Sequence, residues 1–421
     1  MRTPPLRVGA PLARYTTFGI GGPARLLADV PDSERLRAAI VWAERHRIPY
    51  TLLGAGSNVL VADAGFDGLA VRNARSTRFE LLPGARVRAE SGAAIARLLA
   101  ATVERGWSGL EHFAGIPSTL GGALWQNLHF LAPDRKRLVF AGDLVEAATV
   151  LVGGAVERVG RDWFDFGYDA GTLRAGGAVL LDATLRLTPA DPEALRAVVR
   201  ANLAWRAERH PVAAATRSAG CVFRNPPGTS AARVIDAAGL KGLRVGGAVV
   251  SRRHANFVLN AGGATASDVR TLIERVVDRV ARRSGLQLEP ELAFVGSDPA
   301  TSDDGAAPAA RSGRSARPRA GSGSRRRRRR SGTRDRASRP STPRRRSRSA
   351  GRGFVGSSES RSASFARRVG VEVGAADRPE DGRRPPLAAE RAEALAGRDR
   401  RSGRHGSSSI AGPGAEESSH P

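Results

Sequence analysis

The chain predicts an α/β or α+β fold followed by a long segment unable to form a core, and three observations predict it. Short apolar runs alternate with helix-period patterns as far as residue 296. Two glycine-rich turns, LGAGSNVLV at 53–61 and GIPSTLGGA at 115–123, sit on separate strand–helix units. From about Ser297 the composition changes to Arg, Ser, Gly, Ala and Pro with few large apolar residues.

The elements follow in order. Asp32 or Ser33 caps a helix over 32–47, whose apolar residues recur at Leu36, Ala39, Ile40 and Ala43. A strand from Tyr50 to Leu53 breaks at Gly54 to Ser57, and an apolar run resumes at Val59 to Ala62. Beyond residue 85 come a strand in ARVRAESG, a helix in AAIARLLAATVERG and a glycine-rich turn, FAGIPSTLGGALWQN, then strands at 144–152 and 178–187. PADPEALRAVVRANLAWRAERHP predicts a helix that leads into a further unit. That unit holds a turn, SAGCVFRNPPG at 218–228, a helix in SAARVIDAAG, strands in RVGGAVVS and NFVLN, a long helix in SDVRTLIERVVDRVARRSG, and a closing strand, LEPELAFVG.

Composition limits the function classes. Of the whole-chain charge of +26, residues 301–421 carry +16, from 29 arginines against 13 acids. The high pI is therefore largely a property of the tail, and the folded part is not read as a nucleic-acid-binding core. The tail, with RRRRRR at 325–330, cannot bury enough apolar surface to offset its chain entropy, so disorder is expected there. An arginine block of this kind is the one place where nucleic acid would bind. The chain has two lysines, Lys136 and Lys241, against 65 arginines, which fits a GC-rich coding bias and makes a linker, an extension or a gene-model artefact the plainer reading of the tail. A single cysteine, Cys221, excludes an internal disulfide framework and a multi-cysteine metal site. No metal is expected. No run of eighteen apolar residues and no signal-peptide core appear, so a cytoplasmic location without membrane insertion is expected.

The two glycine turns are the first chemical candidates. Glycines at 54 and 56 allow close backbone approach, and Ser57 and Asn58 add donors, so the turn can wrap a phosphate with successive N–H groups. It lacks both the G-x-G-x-x-G spacing and the Lys-Ser/Thr of a P-loop. Pro117, Gly121 and Gly122 give the second turn the same character, and one large phosphate-bearing cofactor held between subdomains is the functional reading; tight turns alone are the plain one.

YTTFGIGGPA at 15–24, the two glycine turns, SAGCVFRNPPG, AGLKG at 238–242, HANFVLN at 254–260 and LEPELAFVG at 288–296 resemble, in order and spacing, the UDP-N-acetylenolpyruvoylglucosamine reductases, also called UDP-N-acetylmuramate dehydrogenases. The resemblance covers roughly residues 8–296. It implies an α+β flavoprotein: a two-subdomain FAD-binding fold of the vanillyl-alcohol-oxidase type over 1–75 and 76–190, a smaller α/β substrate-binding domain over 191–297, and the tail, 298–421, outside the family pattern. The activity implied belongs to peptidoglycan synthesis. NADPH reduces non-covalently held FAD, hydride passes to the methylene carbon of UDP-N-acetylglucosamine enolpyruvate, and a protein group protonates the adjacent carbon. A monomer is expected.

Carried over by motif, Tyr15, Gly54, Ala55, Gly56, Ser57, Asn58 and Val59, with Gly115, Ile116, Pro117, Ser118, Gly121, Gly122 and Asn127, would hold FAD. Tyr168, Asn225, Lys241 and His254 would contact the UDP-sugar. Lys241 offers a compact ammonium for an anion, against the plain reading of a surface lysine, and His254 serves equally as a structural histidine. Cys221 stands where the family places a serine or cysteine proton donor; a lone cysteine without that motif would be a small buried hydrophobe. Glu291, with Glu289 as the competing carboxylate, matches the family's acid, which needs burial to stay protonated.

FGYDAGTLR at 166–174 departs from the pattern. The family reads arginine after the tyrosine; here stands Asp169. Loss of such a cation costs about 2–4 kcal/mol unless another residue, Arg174 or Arg224, takes its role. The Leu-His-Phe run after Asn127 departs as well. Reductase activity is expected to survive; the alternatives are another FAD-dependent oxidoreductase, a reductase-like protein with impaired catalysis, and a nucleic-acid-binding protein acting through its tail.

Overall fold

The computed structural model describes residues 5–211 and 216–297; the expected disordered tail at 298–421 lies outside the described residues. A four-stranded sheet opens the first unit, with β1 (Arg7–Pro11) antiparallel to β2 (Pro23–Asp29). Helix α1 (Ser33–Arg45) follows, with the Asp32 side chain accepting from the Arg35 amide at 2.7 Å to cap its first turn. Next come β3 (Tyr50–Leu53), β4 (Val59–Val61) and β5 (Phe66–Arg72), and the sheet order is β1-β2-β5-β3 with β5 parallel to both neighbours. Strands β3 and β4 and helix α1 fall where the apolar patterns put them.

The second unit is an antiparallel sheet ordered β12-β11-β13-β7-β6. Its parts are β6 (Phe79–Leu82), β7 (Arg86–Glu90), α2 (Ile95–Glu104), β8 (Trp107–Ser108), α3 (Leu120–Gln126), the β9 (His129–Leu131) and β10 (Leu138–Phe140) hairpin, β11 (Val145–Val152), β12 (Ala155–Gly160), a four-residue turn of helix α4 (Thr172–Ala175), β13 (Ala178–Arg186) and β14 (Thr188–Pro189). Helix α1 lies between the two sheets. Its side chains share one cluster with Leu26, Leu69 and Val71 on one side and Leu151, Val179 and Leu181 on the other, which is why Val41, Trp42 and Ala43 are buried outside a single stripe.

The third unit begins with α5 (Pro192–Arg209) by sequence but not by packing. Leu195 lies in the core of the second unit, and Val199, Leu203 and Trp205 pack against it. Its own sheet is antiparallel, ordered β15-β18-β17-β16: β15 (Ser218–Cys221), then α6 (Ala231–Ala237), β16 (Arg244–Val245), β17 (Ala248–Val250) and β18 (Phe257–Asn260). Helix α7 (Ala266–Ser284) buries Val269, Leu272, Ile273, Val276 and Val280 at helical spacing; Thr265 and Asp268 close its N-terminus with a capping box, and Gly285 ends it at φ +70°. The last strand, β19 (Ala293–Val295), leaves this unit and pairs in parallel with β4 of the first.

Two sequence expectations need correcting. SAGC is not part of a turn: it is an edge strand whose register slips between Ser218 and Cys221, and Gly220, at φ +81°, makes the bulge. LGGALWQ is a helix rather than the end of a turn, because Thr119 caps it and its paired glycines are tolerated within a first turn held to Ser91 and Thr119. Among the described residues no helix is long and apolar enough to cross a membrane.

Candidate active site

One cleft of about 4410 Å³ is lined by residues of all three units, several times the ~300–1,000 Å³ of a pocket for a single small molecule. The first glycine turn forms part of its wall. Gly56 takes φ +64°, and a Cβ there would lie 1.9 Å from the Tyr15 carbonyl oxygen, so only glycine fits where the turn packs against YTTFGIGG. Thr17 fastens that packing: its amide donates to Gly56 O at 2.9 Å and its hydroxyl to Ser218 O at 2.7 Å, tying the first unit to β15. Tyr15 borders the cleft with Arg72 over its ring and its hydroxyl accepting from Arg7 at 2.8 Å.

The amides of Ala55, Gly56 and Ser57 donate no hydrogen bond within the described residues, whereas Ser57 Oγ donates to Pro117 O, joining the two glycine turns. A run of uncommitted N–H groups on residues that line a large cleft is the donor set an anionic pyrophosphate requires, and these residues fit FAD. Gly115, Ile116, Pro117 and Ser118 line the same cleft, as do Gly121 and Gly122, but the Gly121 amide is committed to Ser91 O at 2.7 Å and the Gly122 amide to Thr119 Oγ1 at 3.3 Å. These two glycines therefore shape the wall through their size rather than donate to a ligand. Val59 lines the floor from β4.

Cys221 and Glu291 are brought together by main-chain pairing. The Glu291 amide donates to Val222 O at 2.8 Å and the Arg224 amide to Glu289 O at 2.9 Å, so LEPE runs antiparallel to CVFR. Glu289 points outward with a mostly exposed side chain, whereas Glu291 lines the cleft. Burial, reinforced by the charge of Asp169 and opposed by Arg174 and Arg224, pushes the Glu291 carboxyl up to about 8. Burial also pushes the Cys221 thiol well above its usual range, with Glu291 adding to the rise and Arg206 opposing it. Both groups therefore carry their protons at neutral pH.

Asp169 is fully buried, in a left-handed backbone conformation at φ +48°. Gln126 Nε2 donates to its carboxylate at 3.1 Å, Arg224 Nη2 to its main-chain oxygen at 3.0 Å, and Arg224 Nε lies 3.9 Å from Oδ2. The departing Leu-His-Phe run places His129 in the same wall, its ring 4.5 Å from that of Tyr168 and Nδ1 3.9 Å from the Asp169 carboxylate. Arg174 stacks on Trp125, 4.5 Å from ring centroid to guanidinium carbon, and donates to Glu291 O at 3.2 Å. Asn225 donates to the Tyr168 hydroxyl at 3.3 Å and caps the first turn of α6 through the Ala231 amide. His254 lines the cleft, and burial with the charges of Lys241 and Arg206 lowers it to about 4, leaving a neutral imidazole.

Two expected site residues stand elsewhere. Asn127 is 3% exposed and does not line the cleft: it ends α3 in a left-handed conformation, donates to Gly167 O at 2.9 Å and accepts from the Gly142 amide at 3.0 Å. An asparagine is chosen there because it tolerates φ +50° while joining two loops. Lys241 also lies outside the lining, its ammonium 2.6 Å from Asp236, a compact charge in the turn after α6 held by a carboxylate of that helix.

Sequence reasoning missed Gln126, Asn256 and Arg206. Asn256 accepts from the Phe223 amide at 2.9 Å and donates to Phe223 O at 2.8 Å, fixing the chain just after Cys221. Arg206 projects from the buried face of α5 over Phe130, with its Nε closed to solvent and unpartnered. Its signal was present: Leu195, Val199, Asn202 and Arg206 recur at helical spacing, which puts an arginine on a buried stripe.

The C-terminal part, residues 210–295, matches the family model described as UDP-N-acetylenolpyruvoylglucosamine reductase, C-terminal domain, and residues 24–159 match an FAD binding domain. The chain is similar to the UDP-N-acetylenolpyruvoylglucosamine reductase of Rubrobacter xylanophilus, at 42% identity over 70% of this chain and 96% of the relative, and to that of Geobacter metallireducens, at 39% over 68% and 93%. Among solved structures it is similar to UDP-N-acetylenolpyruvylglucosamine reductase from Thermus caldophilus, at 32% identity and a TM-score of 0.57 over 69% of this chain and 98% of the other.

Proposed function

The chain belongs to the UDP-N-acetylenolpyruvoylglucosamine reductase family, and from that premise we propose that it reduces UDP-N-acetylglucosamine enolpyruvate to UDP-N-acetylmuramate in peptidoglycan synthesis, with FAD as cofactor and NADPH as co-substrate. The observation that carries this reading is the Glu291 N to Val222 O bond, which seats a neutral carboxylic acid beside a neutral thiol on one wall of the cleft.

The amides of Ala55 to Ser57, with Tyr15 and the 115–118 turn, would hold FAD between the first two units. FAD held there would supply the hydride chemistry, carrying the reducing equivalents of NADPH to the methylene carbon of the enolpyruvyl group. As negative charge develops on the substrate carboxylate and the adjacent carbon, Glu291 donates a hydrogen bond to the enolate oxygen; an acid held to about 8 keeps that proton at neutral pH. Cys221 gives its proton to the adjacent carbon and takes up the electron pair of its S–H bond as thiolate. Arg206, whose charge reaches Cys221 in the folded chain, offsets that thiolate until solvent returns a proton. Tyr168, Asn225 and His254 line the end where the UDP-sugar would sit, His254 as a neutral hydrogen-bonding group. Lys241, engaged by Asp236, would reach the ligand only by releasing that partner.

A cytoplasmic monomer, with any nucleic-acid contact confined to the tail, completes the reading. The test is the absorbance spectrum of the purified protein followed by NADPH oxidation with and without UDP-N-acetylglucosamine enolpyruvate. Yellow protein with substrate-dependent oxidation is the expected result; bound flavin with no substrate-dependent turnover would remove the proposal.

A further inference from the structure

The Asp169 carboxylate is fully buried, yet only its Oδ1 accepts a hydrogen bond, from Gln126 Nε2 at 3.1 Å. Oδ2 is closed to solvent and without a hydrogen-bond partner among the described residues. The basic groups nearest to it stop short: Arg224 Nε lies 3.9 Å from Oδ2, and His129 Nδ1 lies 3.9 Å from Oδ1. Arg224 commits Nη2 to the Asp169 main-chain oxygen and brings Nη1 to 3.8 Å from Glu289, while Arg174 commits Nη2 to Glu291 O. A buried carboxylate neutralised this incompletely acts on its neighbours through a medium that screens poorly.

Those neighbours bear the protons of the site. Asn58 Nδ2 donates both to Gln126, whose amide holds Asp169, and to Glu291 O, so the two carboxyl groups hang from one pair of amides. Arg224 follows Cys221 by three residues and reaches back to Asp169, which sets the thiol on the same wall. Together with burial, the charge of Asp169 pushes the Glu291 carboxyl, the Cys221 thiol and the Tyr168 phenol up. Arg174 and Arg224 oppose it at Glu291, as Arg206 and a hydrogen bond from Asn256 do at Cys221. Where the family pattern has a cation after the tyrosine, this chain has a charge of the opposite effect. We propose that Asp169 is a positioning residue whose incompletely neutralised carboxylate keeps the two proton-bearing groups of the site, Glu291 and Cys221, protonated while substrate is reduced. Only the use made of those protons rests on the reductase reading above.

Asp169→Asn removes the charge and keeps the shape. Asparagine tolerates φ +48°, and its side-chain oxygen still accepts from Gln126. Asp169→Gly, free at the same φ, is the second variant. Two profiles against pH are measured on FAD-loaded protein: reoxidation of the NADPH-reduced flavin by UDP-N-acetylglucosamine enolpyruvate, and alkylation of Cys221 by iodoacetamide, the latter also in a Glu291→Gln background. Removing a negative charge favours ionisation of both groups. The alkaline limb of reoxidation should therefore move to lower pH by about one unit. Alkylation should be about 10-fold faster at a given pH, with or without Glu291→Gln. An unmoved profile, an equal loss of rate at every pH, or displacement of only one of the two overturns the proposal, as does loss of FAD from both variants. If the unsubstituted chain takes up FAD and is reduced by NADPH but the ether does not reoxidise it, the reductase reading fails instead, and the alkylation profile alone decides for or against Asp169.

Discussion

Asn58 Nδ2 donates to the main-chain oxygen of Glu291 at 3.4 Å and also to Gln126, so a side chain of the first glycine turn holds the acid's strand and the Asp169 wall together. The parallel pairing of β4 with β19 carries the same join into the backbone, with Val59 opposite Ala293. Residues 233 positions apart thereby share one frame, and the turn proposed to hold the cofactor also sets the height of the proton-bearing group.

Cys221→Ala is expected to keep FAD and its reduction by NADPH while losing about 10²- to 10⁴-fold in product formation, and Cys221→Ser to keep appreciable activity. The raised thiol of the half-buried Cys221 adds a kinetic signature. Alkylation proceeds through the thiolate, so inactivation by iodoacetamide should be slow at neutral pH, accelerate in alkaline solution and be slowed by bound substrate. Normal turnover by Cys221→Ala would return the residue to a packing role.

As the hydrogen-bonding acid, Glu291 is expected to set the alkaline limb of the rate. An acid held to about 8 loses its hydrogen-bonding proton as pH rises through that value, so the substrate-reducing half-reaction should decline there. Glu291→Gln keeps a donor that does not titrate and should flatten this limb, while Glu291→Ala should lose about 10²- to 10³-fold. Stopped-flow reoxidation of the NADPH-reduced protein by substrate, followed against pH, measures both; an unchanged limb in Glu291→Gln assigns it to another group.

Much of this was legible in the sequence because it is local. Helix α7 announces itself by a capping box and an apolar stripe, and β3, Gly54 to Ser57 and β4 by an apolar run broken at glycine. What separates Glu291 from Glu289 is exposure, Glu289 standing out in solvent while Glu291 lines the cleft, and that difference arises only once LEPE is paired with CVFR, a contact the sequence does not contain. Asn127, carried to the cofactor site by motif, lies outside the cleft lining, and its left-handed φ and its two loop contacts exist only after folding. The SAGC strand was hidden because its partner, β18, lies across three intervening elements and its bulge glycine looks like a turn.

Folding stability should peak near pH 6.5. His210 and His254 are lowered to about 3 and about 4, chiefly by burial, so over pH 4.5–6.5 the unfolded chain binds two imidazole protons that the folded chain does not. Over pH 4.5–8 the folded chain keeps the Glu291 proton that the unfolded chain releases. Stability rises with pH where the unfolded state binds more protons, at about 1.4 kcal/mol per pH unit per proton. Two protons against one give a net rise below 6.5, and Glu291 alone gives a fall from 6.5 to about 8. Urea midpoints across this range should trace that maximum, and Glu291→Gln should remove the fall on its alkaline side.

Arg206→Met separates charge from packing beside Cys221. The guanidinium stacks over Phe130, leaves its Nε unpartnered and faces the neutral rings of His210 and His254, so an apolar chain of similar length fills the same space without leaving a buried carboxylate behind. Stability should therefore hold or rise, and flavin content should stay that of the unsubstituted protein. The thiol, however, loses the cation that, among the described residues, favours its thiolate. Iodoacetamide inactivation should then need a higher pH to reach the same rate, and product formation should slow while NADPH reduction of the flavin does not. A pH profile of alkylation identical to that of the unsubstituted protein would show that Arg206 serves the wall and not the proton donor.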